Sequence, residues 1–271
     1  MLLEVENKMI EKNDSFKNGL GNAFLMWIVG GSPIILTAIY TVICYEINID
    51  DKLSDIGMAV STFLGGLLAI FIMKKEYKLD IKEYLRKPDM KILLFVITGS
   101  IFYAITAMYV IYRPLLVGEA EIDAFAIVEL VFFSTLGPIG EEFIYRFAML
   151  TILLITAKNS RFKIMFSIVM ISILWMAMHL STYIPRCFEI TFVGILLGLL
   201  YLKSKNVIYC LVSHVVLNAV TYIFAAVYPW FLERKYILYI SMPLFLVSAV
   251  ALVYHLHKSD GGKFTLNEEC K

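Results

Sequence analysis

The side chains best suited to chemistry in this 271-residue chain fall in three short groups. The first is Gly140-Glu141-Glu142-Phe143-Ile144-Tyr145-Arg146. Glu142 and Arg146 are four apart, share one helix face and can pair, neutralising two buried charges. Glu141 points about 100° away at 3.6 residues per turn, so that ion pair need not consume it and one carboxylate stays free. The second group is Trp175-Met176-Ala177-Met178-His179, where the i, i+4 spacing stacks the indole against the turn of the imidazole. The third is His214-Val215-Val216-Leu217-Asn218, with His214 and Asn218 on one face of another helix. Of the four histidines, His179 and His214 lie in apolar stretches, whereas His255 and His257 end the last such stretch and read as interface residues. A carboxylate accepts protons, an imidazole accepts or donates them, and an amide donates hydrogen bonds. An ionisable side chain at membrane depth costs several kcal/mol, so a cluster of them there points to a task.

The elements that must position these groups are membrane helices. The composition is 60% hydrophobic and 17% charged, with a mean hydropathy of +0.77. Apolar stretches long enough to cross a bilayer cover about 23–45, 56–73, 92–112, 164–181, 188–202, 207–230 and 236–256. An eighth region, Ile122 to Ala157, exceeds one straight crossing, and Gly137-Pro138-Ile139-Gly140 is expected to interrupt it. A helix restarting there puts Glu141 near a helix N-terminus, where the macrodipole favours negative charge.

The fold expected is therefore all-α, a polytopic bundle of about eight spans. It divides into N-terminal spans with a basic cytoplasmic segment (1–115), a catalytic core (116–230), and a last span with its tail (231–271). With eight spans, Lys and Arg collect mainly on one side and both termini are cytoplasmic; a double crossing of the eighth region would give nine spans and weaken that bias. Seven basic and four acidic residues between Lys74 and Lys91 read as a surface helix against anionic lipid. The net charge of +1 has no clustered basic surface behind it, which excludes nucleic acid as a partner. The four cysteines, Cys44, Cys187, Cys210 and Cys270, show no CxxC and read as free thiols.

The EExxxR, aromatic-xxxH and HxxxN groups, in this order on successive helices, resemble the CPBP family over about residues 120–225. That family unites eukaryotic CAAX prenyl endoproteases with bacterial bacteriocin-processing and self-immunity (Abi) proteins. Trp175 departs from its pattern, which commonly has Phe there, but keeps an aromatic ring, and it reads as packing. The resemblance implies an intramembrane endopeptidase acting on a membrane or lipidated peptide. It implies that Glu141 and His179 activate the attacking water, that His214 and Asn218 hold the substrate carbonyl and the developing oxyanion, and that Glu142 and Arg146 give structural support. The chemistry agrees: burying a carboxylate moves it toward the working range of a base, and donors in a dry cavity are worth more than in water.

Glu141, His179 and His214 also have the ligand types of a catalytic zinc site, but without an HExxH pair on one helix a metal-free mechanism is favoured. Two other classes compete. A proton- or ion-coupled transporter would call for a pair of broken helices, and the sequence has one break. A non-proteolytic immunity or binding protein would not need the complete set of reactive groups.

Overall fold

The computed structural model describes residues 18–28, 51–112, 131–157, 160–179, 183–226 and 236–259, with the isolated positions 32, 35, 39 and 128. Eight helices, and no strand, are present among the described residues. They are α1 (18–28), α2 (Asp51–Glu76), α3 (Met90–Ala107), α4 (132–156), α5 (Arg161–Met178), α6 (Ile184–Ser204), α7 (Val207–Ala226) and α8 (Tyr236–Ser259). Six of them, α2, α3 and α5 to α8, are long and apolar enough to cross a membrane. Large apolar side chains stay exposed along them, such as Phe162, Val169 and Ile173 on α5 and Val247, Val250 and Val253 on α8, as a lipid-facing surface requires. The protein is a multi-pass membrane protein. Most of the stretch expected at 23–45 lies outside the described residues.

α4 is the centre of the bundle, packed by α2, α5, α6 and α7. Every residue from Glu142 to Leu153 is buried, as for a helix covered on all sides. The expected interruption at Gly137-Pro138-Ile139-Gly140 is absent. α4 runs on as π-helix at Phe132–Leu136, α-helix at Gly137–Glu142, π-helix at Phe143–Leu150 and α-helix at Thr151–Thr156, with helical dihedrals at every junction. The wide π turn directly before Gly137-Pro138 gives the proline ring room it lacks in a regular helix, where it would meet the carbonyl four residues back. Residues 131–157 are therefore one rod, not a hairpin, and a double crossing that turns at 137–140 is ruled out. It follows that Glu141 and Glu142 sit in a helix interior, not at an N-terminus, and the macrodipole does not stabilise them.

Close backbone approach fixes α4 against α2. A Cβ on Gly66 would stand 2.7 Å from the Gly140 Cα, and one on Gly140 would overlap the Thr62 carbonyl oxygen, so small residues let the two backbones meet one residue before Glu141. Gly194 of α6 does the same beside α5, where a Cβ would lie 2.8 Å from Ser172 Cβ and 3.0 Å from Trp175 Cε3.

The segment from Lys74 to Lys91 is not a surface helix. Its start completes α2, a single 3-10 turn covers Ile81–Glu83, and Asp89 caps α3 by accepting from the backbone of Lys91 and Ile92. Backbone bonds to the start of α7 replace helical ones: Val207 N donates to Tyr84 O at 2.8 Å, Asn206 Nδ2 to Arg86 O at 2.9 Å, and Asp89 N to Tyr209 Oη at 2.7 Å. Tyr84 turns inward, its ring 5.2 Å from Phe147 and 6.3 Å from Tyr201.

Candidate active site

Three helices bring the reactive groups together. α4 supplies Glu141, Glu142 and Arg146, α5 supplies Trp175 and ends on His179, and α7 supplies His214 with Asn218 one turn further along. His179 was expected inside a span; it caps α5, at the end of the span Arg161–Met178.

The two adjacent glutamates have separate environments. Glu142 is sealed from solvent and lies 3.0 Å from Arg146 Nη1, the expected ion pair. Its Oε1 also takes a second partner, His214 Nδ1 at 2.9 Å, which the sequence reading missed. Glu142 thus bridges α4 to α7. Glu141 keeps 20% side-chain exposure, makes no ion pair with Arg146, and faces His214 Nε2 across 4.0 Å.

Trp175 does more than pack. Its Nε1 donates to Glu141 Oε2, and its backbone carbonyl accepts from His179 Nδ1 at 2.9 Å. Its ring stands edge-on to His179 at 5.1 Å and to His214 at 5.2 Å, and the Arg146 guanidinium lies 4.6 Å from the ring centroid. One side chain therefore touches four of the candidate residues. The signal available in the sequence was its place four residues before His179 together with the indole N–H, a donor that Phe lacks.

These bonds fix proton positions. A carbonyl oxygen only accepts, so His179 Nδ1 carries the proton and, in the neutral ring, Nε2 holds the lone pair. Glu142 likewise orients His214 so that Nε2 faces Glu141. Asn218 is half-buried on the His214 helix. No three His, Cys, Asp or Glu side chains are grouped as ligands of one ion among the described residues. Cys187 and Cys210 are outside any disulfide, while Cys44 and Cys270 lie outside the described residues.

Residues 123–220 match the family described as Type II CAAX prenyl endopeptidase Rce1-like. This stretch is similar to an Rce1-like domain. It lies within the expected catalytic core, and all six candidate residues, from Glu141 to Asn218, fall inside it. The Rce1-like family is one of intramembrane endopeptidases, which agrees with the resemblance carried by the three motifs. No curated protein and no solved structure matches the chain.

Proposed function

We propose that the protein hydrolyses a peptide bond in a membrane-associated peptide, with Glu141 as the base and without a metal. The observation that carries this reading is the 4.0 Å gap between Glu141 Oε2 and His214 Nε2, a separation that one water or a substrate oxygen spans. A water there gives one proton to Glu141 and donates its other hydrogen to the lone pair of His179 Nε2 as its oxygen attacks the carbonyl carbon. The oxyanion then accepts from His214 Nε2–H and from the Asn218 amide. Glu141 returns the proton to the leaving amine as the C–N bond breaks, so protons and electrons balance.

Glu142 and Arg146 hold His214 from below. A zinc ion on Glu141, His179 and His214 is the competing arrangement. The engagement of Glu141 Oε2 by the indole supports the metal-free one. The family description names prenylated CAAX peptides, so a farnesylated CAAX peptide and an apolar leader peptide are the first probes. Purified protein in detergent should cleave one of them, and Glu141→Ala should not. Cleavage by Glu141→Ala would end this mechanism.

A further inference from the structure

The ends of α5 and α6 gather cations that the sequence keeps far apart. The two helices run antiparallel in a fixed register: a Cβ on Gly194 would meet Ser172, and one on Gly198 would meet Ile168. Carried one turn further, that register sets Leu202 opposite Ile164. The end of α6, with Lys203 and then Lys205, therefore lies against the start of α5, with Arg161 and Lys163. The connection before α3 adds Arg86, whose carbonyl oxygen accepts from Asn206 Nδ2 at 2.9 Å. Arg86, Arg161 and Lys205 are exposed, and Lys163 and Lys203 are half-buried. Between Glu142 and Lys205 the sequence holds one carboxylate, Glu189, and it belongs to the opposite end of α6.

From these cations α5 turns an apolar stripe outward. Phe162, Phe166, Val169 and Ile173 are exposed and spaced i, i+4, i+7 and i+11, one face of a helix. Phe162, between Arg161 and Lys163, is 78% exposed, and its ring stacks 6.3 Å from Phe166. α5 is long and apolar enough to cross the membrane, and its inward face is a different one, carrying Ile164, Ile168, Ile171 and Trp175. The outward face thus begins among positive charges at the end of a span and continues as hydrocarbon. A phospholipid divides in the same way into headgroup and chain.

We propose that this face holds an anionic phospholipid, with its phosphate among Arg86, Arg161, Lys163, Lys203 and Lys205 and an acyl chain along the α5 stripe. The guanidinium of Arg161 offers a phosphate two parallel donors, and the lysines add point charges around it. A zwitterionic phospholipid has the same chains but carries its own cation, which the basic groups repel, so the headgroup decides the choice. This site lies on the outside of the bundle and goes beyond the protease reading, which it neither needs nor tests.

The test incubates the full chain in detergent with equal amounts of phosphatidylglycerol and phosphatidylcholine of the same acyl chains. The lipid that stays with the protein through purification is then measured by mass spectrometry. Wild type should retain phosphatidylglycerol over phosphatidylcholine by about tenfold or more, and equal retention overturns the proposal. Arg161→Gln/Lys203→Gln/Lys205→Gln should bring the ratio near one. Lys74→Gln/Lys75→Gln/Lys78→Gln removes the same charge from the end of α2 and its connection and should leave the ratio unchanged. An equal loss in both variants would mean that diffuse surface charge, not this face, attracts the lipid. Phe162→Ser should lower the phosphatidylglycerol retained, and unchanged retention would remove the acyl chain from the α5 stripe. Excess inorganic phosphate should not displace the lipid; displacement would make the ligand a free anion. Should the first triple variant fail to fold, wild type alone decides. Its melting temperature should be higher in phosphatidylglycerol than in phosphatidylcholine, with the difference shrinking as salt is raised, and no difference overturns the site.

Discussion

Glu141 and Glu142 are neighbours of the same residue type, yet one lies in an open half of the site and the other in a sealed half. Glu142 is enclosed with Arg146 and His214, a cation and an imidazole that consume its Oε1. Glu141 is met by an indole N–H, leaves ion-pairing to its neighbour, and keeps contact with the outside. The difference teaches that a carboxylate is made structural or reactive by what the next helix brings to it. A rotation of one residue along α4 is enough to separate α7's imidazole Nδ1 from α5's indole.

The sharpest way to break the comparison is to remove each carboxylate without changing its volume. Glu141→Gln should lose cleavage by about 10²–10⁴-fold or more, the contribution of a positioned base, with the melting temperature unchanged or raised. Glu142→Gln should act through folding. It leaves a buried guanidinium without its carboxylate, at a cost of about 3–5 kcal/mol, so yield and melting temperature should fall together. A stable but inactive Glu142→Gln would mean that the sealed half is the reactive one. The Glu141 variant also addresses metal, since a lost zinc ligand would lower the metal content of the purified protein. Wild type should retain activity in chelator, and loss of activity restored by zinc would replace the metal-free mechanism.

A smaller effect is expected where the substrate, not the base, is held. Asn218→Ala should cost about a hundredfold in kcat if the amide is one of two oxyanion donors, with little change in thermal stability. Full activity in that variant would leave His214 as the sole donor.

Much of this was legible in the sequence. Six of the spans followed from hydropathy, and the i, i+4 spacings of Glu142 with Arg146 and of Trp175 with His179 put the right residues on shared faces. What spacing within a helix cannot give is contact between helices, so the bond from His214 to Glu142 and that from Trp175 to Glu141 were invisible. The Gly-Pro motif misled for a local reason: a proline predicts a break only where the helix stays regular, and the π turn at Phe132–Leu136 takes up its ring. The basic segment misled because charge was counted while Tyr84 and Asn206, which tie it into the bundle, were not.

The smallest and most discriminating effect concerns Trp175. If its indole only fills space, Trp175→Phe should cost packing alone, and that cost should be the same whether or not position 141 carries a carboxylate. If it holds Glu141 through Nε1–H, the variant frees the carboxylate to rotate away from the water it must deprotonate. In that case kcat should fall by about tenfold to a hundredfold with KM nearly unchanged, because misplacement of a catalytic group acts on the transition state. A hydrogen bond to a charged group contributes about 1.5–3 kcal/mol, so stability should fall by less than in Glu142→Gln. The double variant Trp175→Phe/Glu141→Gln separates the two accounts. Its stability should exceed the sum of the single effects by a coupling of about 0.5 kcal/mol or more, since the charge at position 141 strengthens the indole bond only while the indole donor is present. Strict additivity in stability, together with unchanged kcat in Trp175→Phe, would reduce Trp175 to packing and leave Glu141 held by its own helix alone.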